Sequence, residues 1–255
     1  MNIVINPDYS KLSLFIEQLP SDFSKGGDMI YEARNQIKKF RVQDIDVVVK
    51  RYKVPICINR IIYAFFRPSK AKRAYEYAMF LLSKGIRTPE PIAYIEVKKG
   101  LLFYQGYFIS KMENYPRMMR DFYNSIGSGE YILDKFAEFT LKVHESGILH
   151  LDYSPGNVLY EQVGDDVHFS LVDLNRMRFG KLTKKECLRN FDRISPSDEV
   201  TSYIVTEYSR LRGWDIASSV ETALYYKRKF WEKVAKKAAL KNKNAQRFLI
   251  LTILF

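Results

Sequence analysis

His150-Leu151-Asp152-Tyr153-Ser154-Pro155-Gly156-Asn157 is the stretch on which the reading of the fold turns. An aspartate stands two positions after a histidine, and an asparagine follows five positions later, across a Ser-Pro-Gly turn. Sixteen positions beyond Asn157, at the end of an apolar strand, comes Asp173-Leu174-Asn175. Phosphoryl transfer needs little covalent help from a protein. It needs a carboxylate to orient the attacking hydroxyl and oxygen ligands for Mg²⁺ at the phosphates. In the kinase arrangement the first aspartate receives the hydroxyl proton, and the asparagine and the second aspartate hold metal. Asp152, Asn157 and Asp173 have those types in that order. The hairpin between Asn157 and Val172 is expected to return both metal ligands to one end. His150 is expected to orient the loop by hydrogen bonds, and Ser154-Pro155-Gly156 to shape it. An isolated His-x-Asp reads as an ordinary turn; the three segments together read as a catalytic centre.

Upstream, Lys50 ends the β-branched run Asp46-Val47-Val48-Val49. A lysine there can reach the α- and β-phosphates of ATP as a point charge. It needs a carboxylate to hold it, and Glu76, in the middle of a helix, is the expected partner, with Glu32 as competitor. No GxGxxG phosphate loop exists. Gly26-Gly27 is one candidate remnant; the other is the turn Glu32-Ala33-Arg34-Asn35, whose backbone N–H groups and Arg34 side chain face phosphate. Both stay open. His144 and His168 have no metal-ligand spacing with another histidine or cysteine and read as structural.

The surrounding chain supports two unlike lobes. Strands are expected at Gln36–Val42 and Asp46–Lys50. A helix follows over Ser69–Ser83, with Ser69 as N-cap and Gly85 as stop. A hairpin is expected over Ile92–Val97 and Leu101–Ser110, around Lys98-Lys99-Gly100. Ile132, Phe136, Phe139 and Val143 then recur at helical spacing, predicting a helix over about Tyr131–Glu145 that Gly147 ends. Short strands flank Gly164-Asp165-Asp166, and from Lys184 onward the chain reads mostly helical. The expectation is an α+β, protein-kinase-like bilobal fold, with residues 1–110 as the strand-rich lobe and 111–255 as the helix-rich one.

The 255 residues are 47% hydrophobic and 15% aromatic, enough for a buried core and too apolar for long disorder. Two cysteines make neither a disulfide framework nor a metal set, which points to a reducing, cytoplasmic setting. No secretion signal and no membrane-spanning run is read from the sequence. The net charge of +12 favours anionic partners without choosing among them. No nucleic-acid recognition motif accompanies it, so no nucleic-acid partner is expected.

At these residues the chain resembles the lipopolysaccharide kinases, the Kdo and WaaP-type heptose kinases, over roughly Tyr31 to Trp214. The resemblance is carried by Val48-Val49-Lys50, Arg73-Ala74-Tyr75-Glu76, His144 to Asn157 and Asp173-Leu174-Asn175-Arg176, of which the catalytic-loop and metal motifs are shared by the wider kinase-like superfamily. The parts more particular to this family are Arg67-Pro68-Ser69-Lys70-Ala71, Thr88-Pro89-Glu90-Pro91 and the Asp-x-Asn-Arg ending at Asp173 to Arg176. The resemblance implies ATP and Mg²⁺ as cofactors. It implies a Kdo or heptose hydroxyl of the lipopolysaccharide inner core, or of a lipid A precursor, as acceptor, and work at the inner membrane of a Gram-negative bacterium. It differs from protein kinases in three ways: Leu151 replaces the arginine before the catalytic aspartate, Asn175 stands where they carry glycine, and no Ala-Pro-Glu follows Asp173. All three favour a sugar or glycolipid acceptor. The alternatives are a protein kinase, another small-molecule kinase of the same fold, and a nucleotide-binding scaffold without catalysis. Lys227 to Lys243 form a basic C-terminal run before the apolar Phe248–Phe255, which allows either a peripheral membrane contact or a helix packed on the second lobe.

Overall fold

The computed structural model describes Met1–Ile253, with side chains except those of Cys57 and residues 241–253. The chain divides into two compact units: Met1–Pro116 with Ser170–Met177, and Arg117–Phe169 with Arg178–Phe255. The first unit therefore runs beyond residue 110 and takes back a short segment of the later chain. That segment is tied down by backbone: Leu171 N–H donates to Arg87 O at 3.0 Å, and the Thr88 hydroxyl donates to Leu171 O at 2.7 Å.

The first unit is built on a six-stranded sheet. Its strands are β1 (Asn2–Ile5), β2 (Asp28–Glu32), β3 (Gln36–Val42), β4 (Ile45–Arg51), β5 (Pro91–Lys99) and β6 (Leu102–Lys111), in spatial order β1-β5-β6-β4-β3-β2. Its neighbouring strands run antiparallel. Alternation of side chains gives the sheet two apolar faces. On one, Val47, Val49, Ile95 and Ile109 pack with Leu12, Ile16 and Leu19 of the N-terminal segment and helix α1 (Ser13–Asp22). On the other, Tyr52 and Tyr94 pack with Ala71 and Tyr75 of helix α3 (Lys70–Ser83). Each such buried side chain contributes roughly 1.5–3 kcal/mol. Helix α2 (Cys57–Phe65) fills the connection between β4 and α3.

α3 starts where the sequence predicts. The Ser69 hydroxyl accepts the Lys72 N–H at 3.1 Å, and Gly85 at φ 66° follows the last turn. The expected β5–β6 hairpin turns at Gly100, φ 60°. The N-terminal strand and helix α1 had no counterpart in the sequence reading. Pro20 lies inside α1, and the apolar run there is too short for a clear helical period.

The second unit is helix-rich. It holds β7 (Arg117–Met118), α4 (Glu130–Glu145), β8 (Ile148–His150), β9 (Val158–Val163), most of β10 (Asp166–Leu171) and the end of β11 (Met177–Phe179). These are followed by α5 (Lys184–Arg189), α6 (Asp198–Arg212) and α7 (Ile216–Ile253). Its centre is aromatic: Phe136 stacks on Tyr153 at 5.7 Å, and Phe139 on Phe169 at 5.2 Å. His144 is buried on α4 between Tyr208, Nδ1 to Oη 2.9 Å, and Asn190, Nε2 to Oδ1 3.0 Å. Burial pushes its imidazole down to about 4, so it is neutral and structural, as expected.

The basic C-terminal run is not uniformly a solvated face. Lys227 is buried and pairs with Asp198 at 2.5 Å, while Lys233, Lys236 and Lys237 are exposed. The side chains of Lys241, Lys243 and the apolar stretch from Phe248 to Phe255 lie outside the described residues. Among the described residues no helix is long and apolar enough to cross a membrane.

Candidate active site

The loop from His150 to Asn157 is held from three sides, all within the second unit. Tyr153 is buried, stacked on Phe136, with its hydroxyl 2.8 Å from that of Thr140 on α4. His150 is also buried, and its Nδ1 accepts the Asp152 backbone N–H at 3.1 Å. That bond makes Nδ1 an acceptor and ties the ring to the backbone of Asp152. Asn157 closes the turn from the far end: its Nδ2 donates to Asp152 O at 2.9 Å, and its N–H to Ser154 O at 2.9 Å. With the amide nitrogen so used, the side-chain oxygen is the end able to ligate a cation.

The Asp152 carboxylate has a partner that the sequence reading did not name. Arg193 Nη1 reaches Asp152 Oδ1 at 2.7 Å, while its Nε bonds Asp192 Oδ1 at 3.2 Å. The guanidinium lies over the Phe230 ring at 4.7 Å. Arg193 is thus fixed by a carboxylate and an aromatic face before it meets Asp152. Asp192 is buried, and that burial raises its carboxyl above the usual range, with the Asp152 charge adding to the rise and Arg193 opposing it. Asn190, which holds His144, also donates to His150 O at 2.9 Å. The segment Asn190-Phe191-Asp192-Arg193 therefore braces the His150–Asn157 loop. No local pattern marked it; the contacts span about 40 positions.

In the first unit, Asp173 and Lys50 come together: Lys50 Nζ lies 2.6 Å from Asp173 Oδ1. Asn175 Nδ2 donates to the same oxygen. Asp173 has φ 58°, one of two non-glycine residues in the left-handed region among the described residues. Such a conformation costs about 1–2 kcal/mol, less for aspartate than for bulkier residues. The strained backbone, the lysine and the asparagine together set the carboxylate's direction.

The expected pairing of Lys50 with Glu76 is corrected here. Glu76 is on the exposed side of α3, 3.7 Å from Lys72 one turn before it. The inward positions of the helix are Ala71, Ala74, Tyr75 and Ala78, so the register turns Glu76 toward solvent. Glu32 is no substitute, since it accepts from Gln36.

The two phosphate-loop candidates also separate. Gly27, φ 76°, leaves no room for a Cβ, which would meet Phe40 at 2.6 Å, and Lys38 Nζ bonds Gly26 O at 2.7 Å. Gly26-Gly27 is a packing turn. The turn of Arg34 and Asn35 instead borders a cavity of about 300 Å³ lined by Arg34, Tyr52, Lys53, Tyr63, Lys70 and Ala71, among others. Asn35 Oδ1 accepts the Lys53 N–H at 3.2 Å, fixing the turn. Burial depresses the Lys70 ammonium, and Arg34, Arg73 and Lys50 depress it further while Asp173 opposes them. Tyr52 also lines this cavity, but its hydroxyl is buried, with no hydrogen-bond partner among the described residues, and burial raises it well above the usual phenol range. Lys70, the first residue of α3, was visible only as part of the Arg67–Ala71 helix entry.

The profile of the lipopolysaccharide kinase (Kdo/WaaP) family matches residues 25–211. Among solved structures, WaaP in complex with acyl carrier protein superposes with TM-score 0.62 at 14% identity, covering 91% of this chain and 99% of that one. The Rio2 kinase–ADP/Mg²⁺–phosphoaspartate complex from Chaetomium thermophilum gives TM-score 0.47 at 14% identity, with 85% and 76% covered. No curated protein sequence matches significantly.

Proposed function

The chain belongs to the lipopolysaccharide kinase (Kdo/WaaP) family, and from that premise we propose that it transfers the γ-phosphate of ATP to a Kdo or heptose hydroxyl of the lipopolysaccharide inner core. Membership makes it a phosphotransferase acting on a sugar hydroxyl on a kinase-like fold. The acceptor sugar, the nucleotide and the work at the cytoplasmic side of an inner membrane are our reading.

The observation that carries the reading is the bracing of Asp152. A carboxylate that receives a hydroxyl proton must be fixed in direction. Arg193 holds one oxygen of Asp152, and His150 and Asn157 hold its backbone N–H and C=O. Asp152 orients the sugar hydroxyl and takes its proton as the oxygen attacks. Leu151 and Asn175 support a sugar over a protein acceptor, by their departure from the protein-kinase pattern.

The residues fit Mg²⁺ and nucleotide phosphate. Asp173, in the first unit, is a hard oxygen donor that would hold the ion, which would neutralise charge on the phosphates; in the second unit the side-chain oxygen of Asn157 is a donor of the same kind. Lys50 keeps the Asp173 carboxylate in place and supplies a cation to the phosphates. Arg34 and Lys70 line a cavity suited to acceptor oxygens, and the N-terminus of α3 beside it favours an anion. Asn35 acts through the backbone that it fixes.

The test is transfer of labelled phosphate from ATP to purified core glycolipid carrying Kdo and heptose. Label in the glycolipid and none in protein substrates is the expected result. Label in protein alone overturns the reading.

A further inference from the structure

The helix between β4 and α3 carries a feature that the active site does not use. On α2, Ile58, Ile61 and Phe65 are 68%, 46% and 61% exposed, and the adjoining Phe66 is 81% exposed. Ile58, Ile61 and Phe65 are spaced three and four apart and form one stripe. Asn59 and Tyr63 line the cavity from a separate face of the same helix. Single exposed apolar residues are ordinary; four large ones on and beside one nine-residue helix are not.

Along the chain, the charges flanking the stripe are all of one sign. Residues 47–75 contain eight lysines and arginines and no aspartate or glutamate. Lys53 precedes α2 and Arg67 follows Phe66, both exposed, so the stripe has a cation beyond each end. Apolar side chains flanked by cations match the interface of an anionic bilayer, where the rings and aliphatic groups enter the acyl boundary and the cations meet headgroup phosphates.

We infer that Ile58, Ile61, Phe65 and Phe66 dock the protein on an anionic lipid surface, with Lys53 and Arg67 supplying the electrostatic share. The inference rests on the reading that the acceptor is lipid-anchored. It places a membrane contact on the first unit. An acidic protein partner shares the charge complement. The bilayer is favoured because the stripe projects from a convex helix face with highly exposed side chains, while the cavity of this helix opens on a separate face.

The experiment is flotation of the full chain with vesicles of phosphatidylcholine alone and of phosphatidylcholine mixed with phosphatidylglycerol, alongside Ile58→Glu/Phe65→Glu and Phe66→Glu. All three positions are exposed, so unchanged far-UV circular dichroism and melting temperature are expected. The wild type should float with the anionic vesicles in a salt-sensitive way, and the double variant should lose about tenfold or more of that partition. Phosphate transfer is then compared on a vesicle-embedded acceptor and its deacylated, water-soluble form. The double variant should lose turnover only on the embedded one. Equal flotation of variant and wild type overturns the inference, as does binding to an acidic acyl carrier protein without binding to vesicles. Absence of transfer to either acceptor would sink the functional reading, while the flotation result still judges the docking surface.

Discussion

Lys50 and Asp173 are 123 positions apart, and Lys50 Nζ lies 2.6 Å from Asp173 Oδ1 within one compact unit. The returning segment Ser170–Met177 makes this possible. Its backbone bonds to Arg87 and Thr88 bring the carboxylate to the strand that carries the lysine. Asp173→Asn keeps the shape and removes the charge. We expect turnover to fall by roughly 10²–10³-fold and ATP binding to lose its dependence on Mg²⁺. Calorimetric titration of ATP with and without Mg²⁺ checks it; an unchanged Mg²⁺ dependence would remove Asp173 from the metal.

Glu76→Gln should matter little. The residue is exposed and its one-turn pair with Lys72 is worth no more than about 0.5 kcal/mol. Turnover and melting temperature are expected within experimental error of wild type. A loss of turnover comparable to that of Lys50→Met would restore the lysine–glutamate pairing of protein kinases.

Arg193→Ala should slow turnover by roughly 10–100-fold with nucleotide affinity unchanged, since the residue positions Asp152 and lies in the other unit from the ATP phosphate cations. Arg193→Lys should recover part of the rate, because it restores the charge without the two-pronged contact. Steady-state kinetics that instead raised KM for ATP at constant kcat would contradict a positioning role.

His144 gives the fold a pH limit. Its imidazole is held at about 4 in the fold against about 6.5 when unfolded. Between those values the unfolded chain binds the proton and the fold does not, so the contribution is complete above about pH 6.5 and is lost as pH falls toward 4. The difference amounts to about 3 kcal/mol. His144→Gln should flatten the fall in melting temperature over that window. Parallel profiles for variant and wild type would show that other groups set the acid limit.

The parts of the fold legible in the sequence were those with local punctuation. The Ser69 cap, the turns at Gly85, Gly100 and Gly147, and the His150–Asn157 loop all announce themselves within a few residues. Asp173 was legible for the same reason, as an aspartate at a strand end. Arg193 and Lys70 were not, because their roles come from contacts across the fold. Glu76 misled because the choice between the inward and outward side of α3 rests on helix register, which Ala71, Ala74 and Ala78 decide by packing. α2 carried no signal in the reading because it is short and has no side-chain cap at its start, where Ile56 is the N-cap.

The central claim is that Asp152 serves phosphate transfer to a lipopolysaccharide core sugar. Mass spectrometry of the core from cells carrying the wild-type gene, an Asp152→Asn allele or neither tests it most directly. The account predicts one phosphate on the core with the wild-type gene and its loss in both other strains, with the Asp152→Asn protein present at a normal level. A fully phosphorylated core in the Asp152→Asn strain would contradict it.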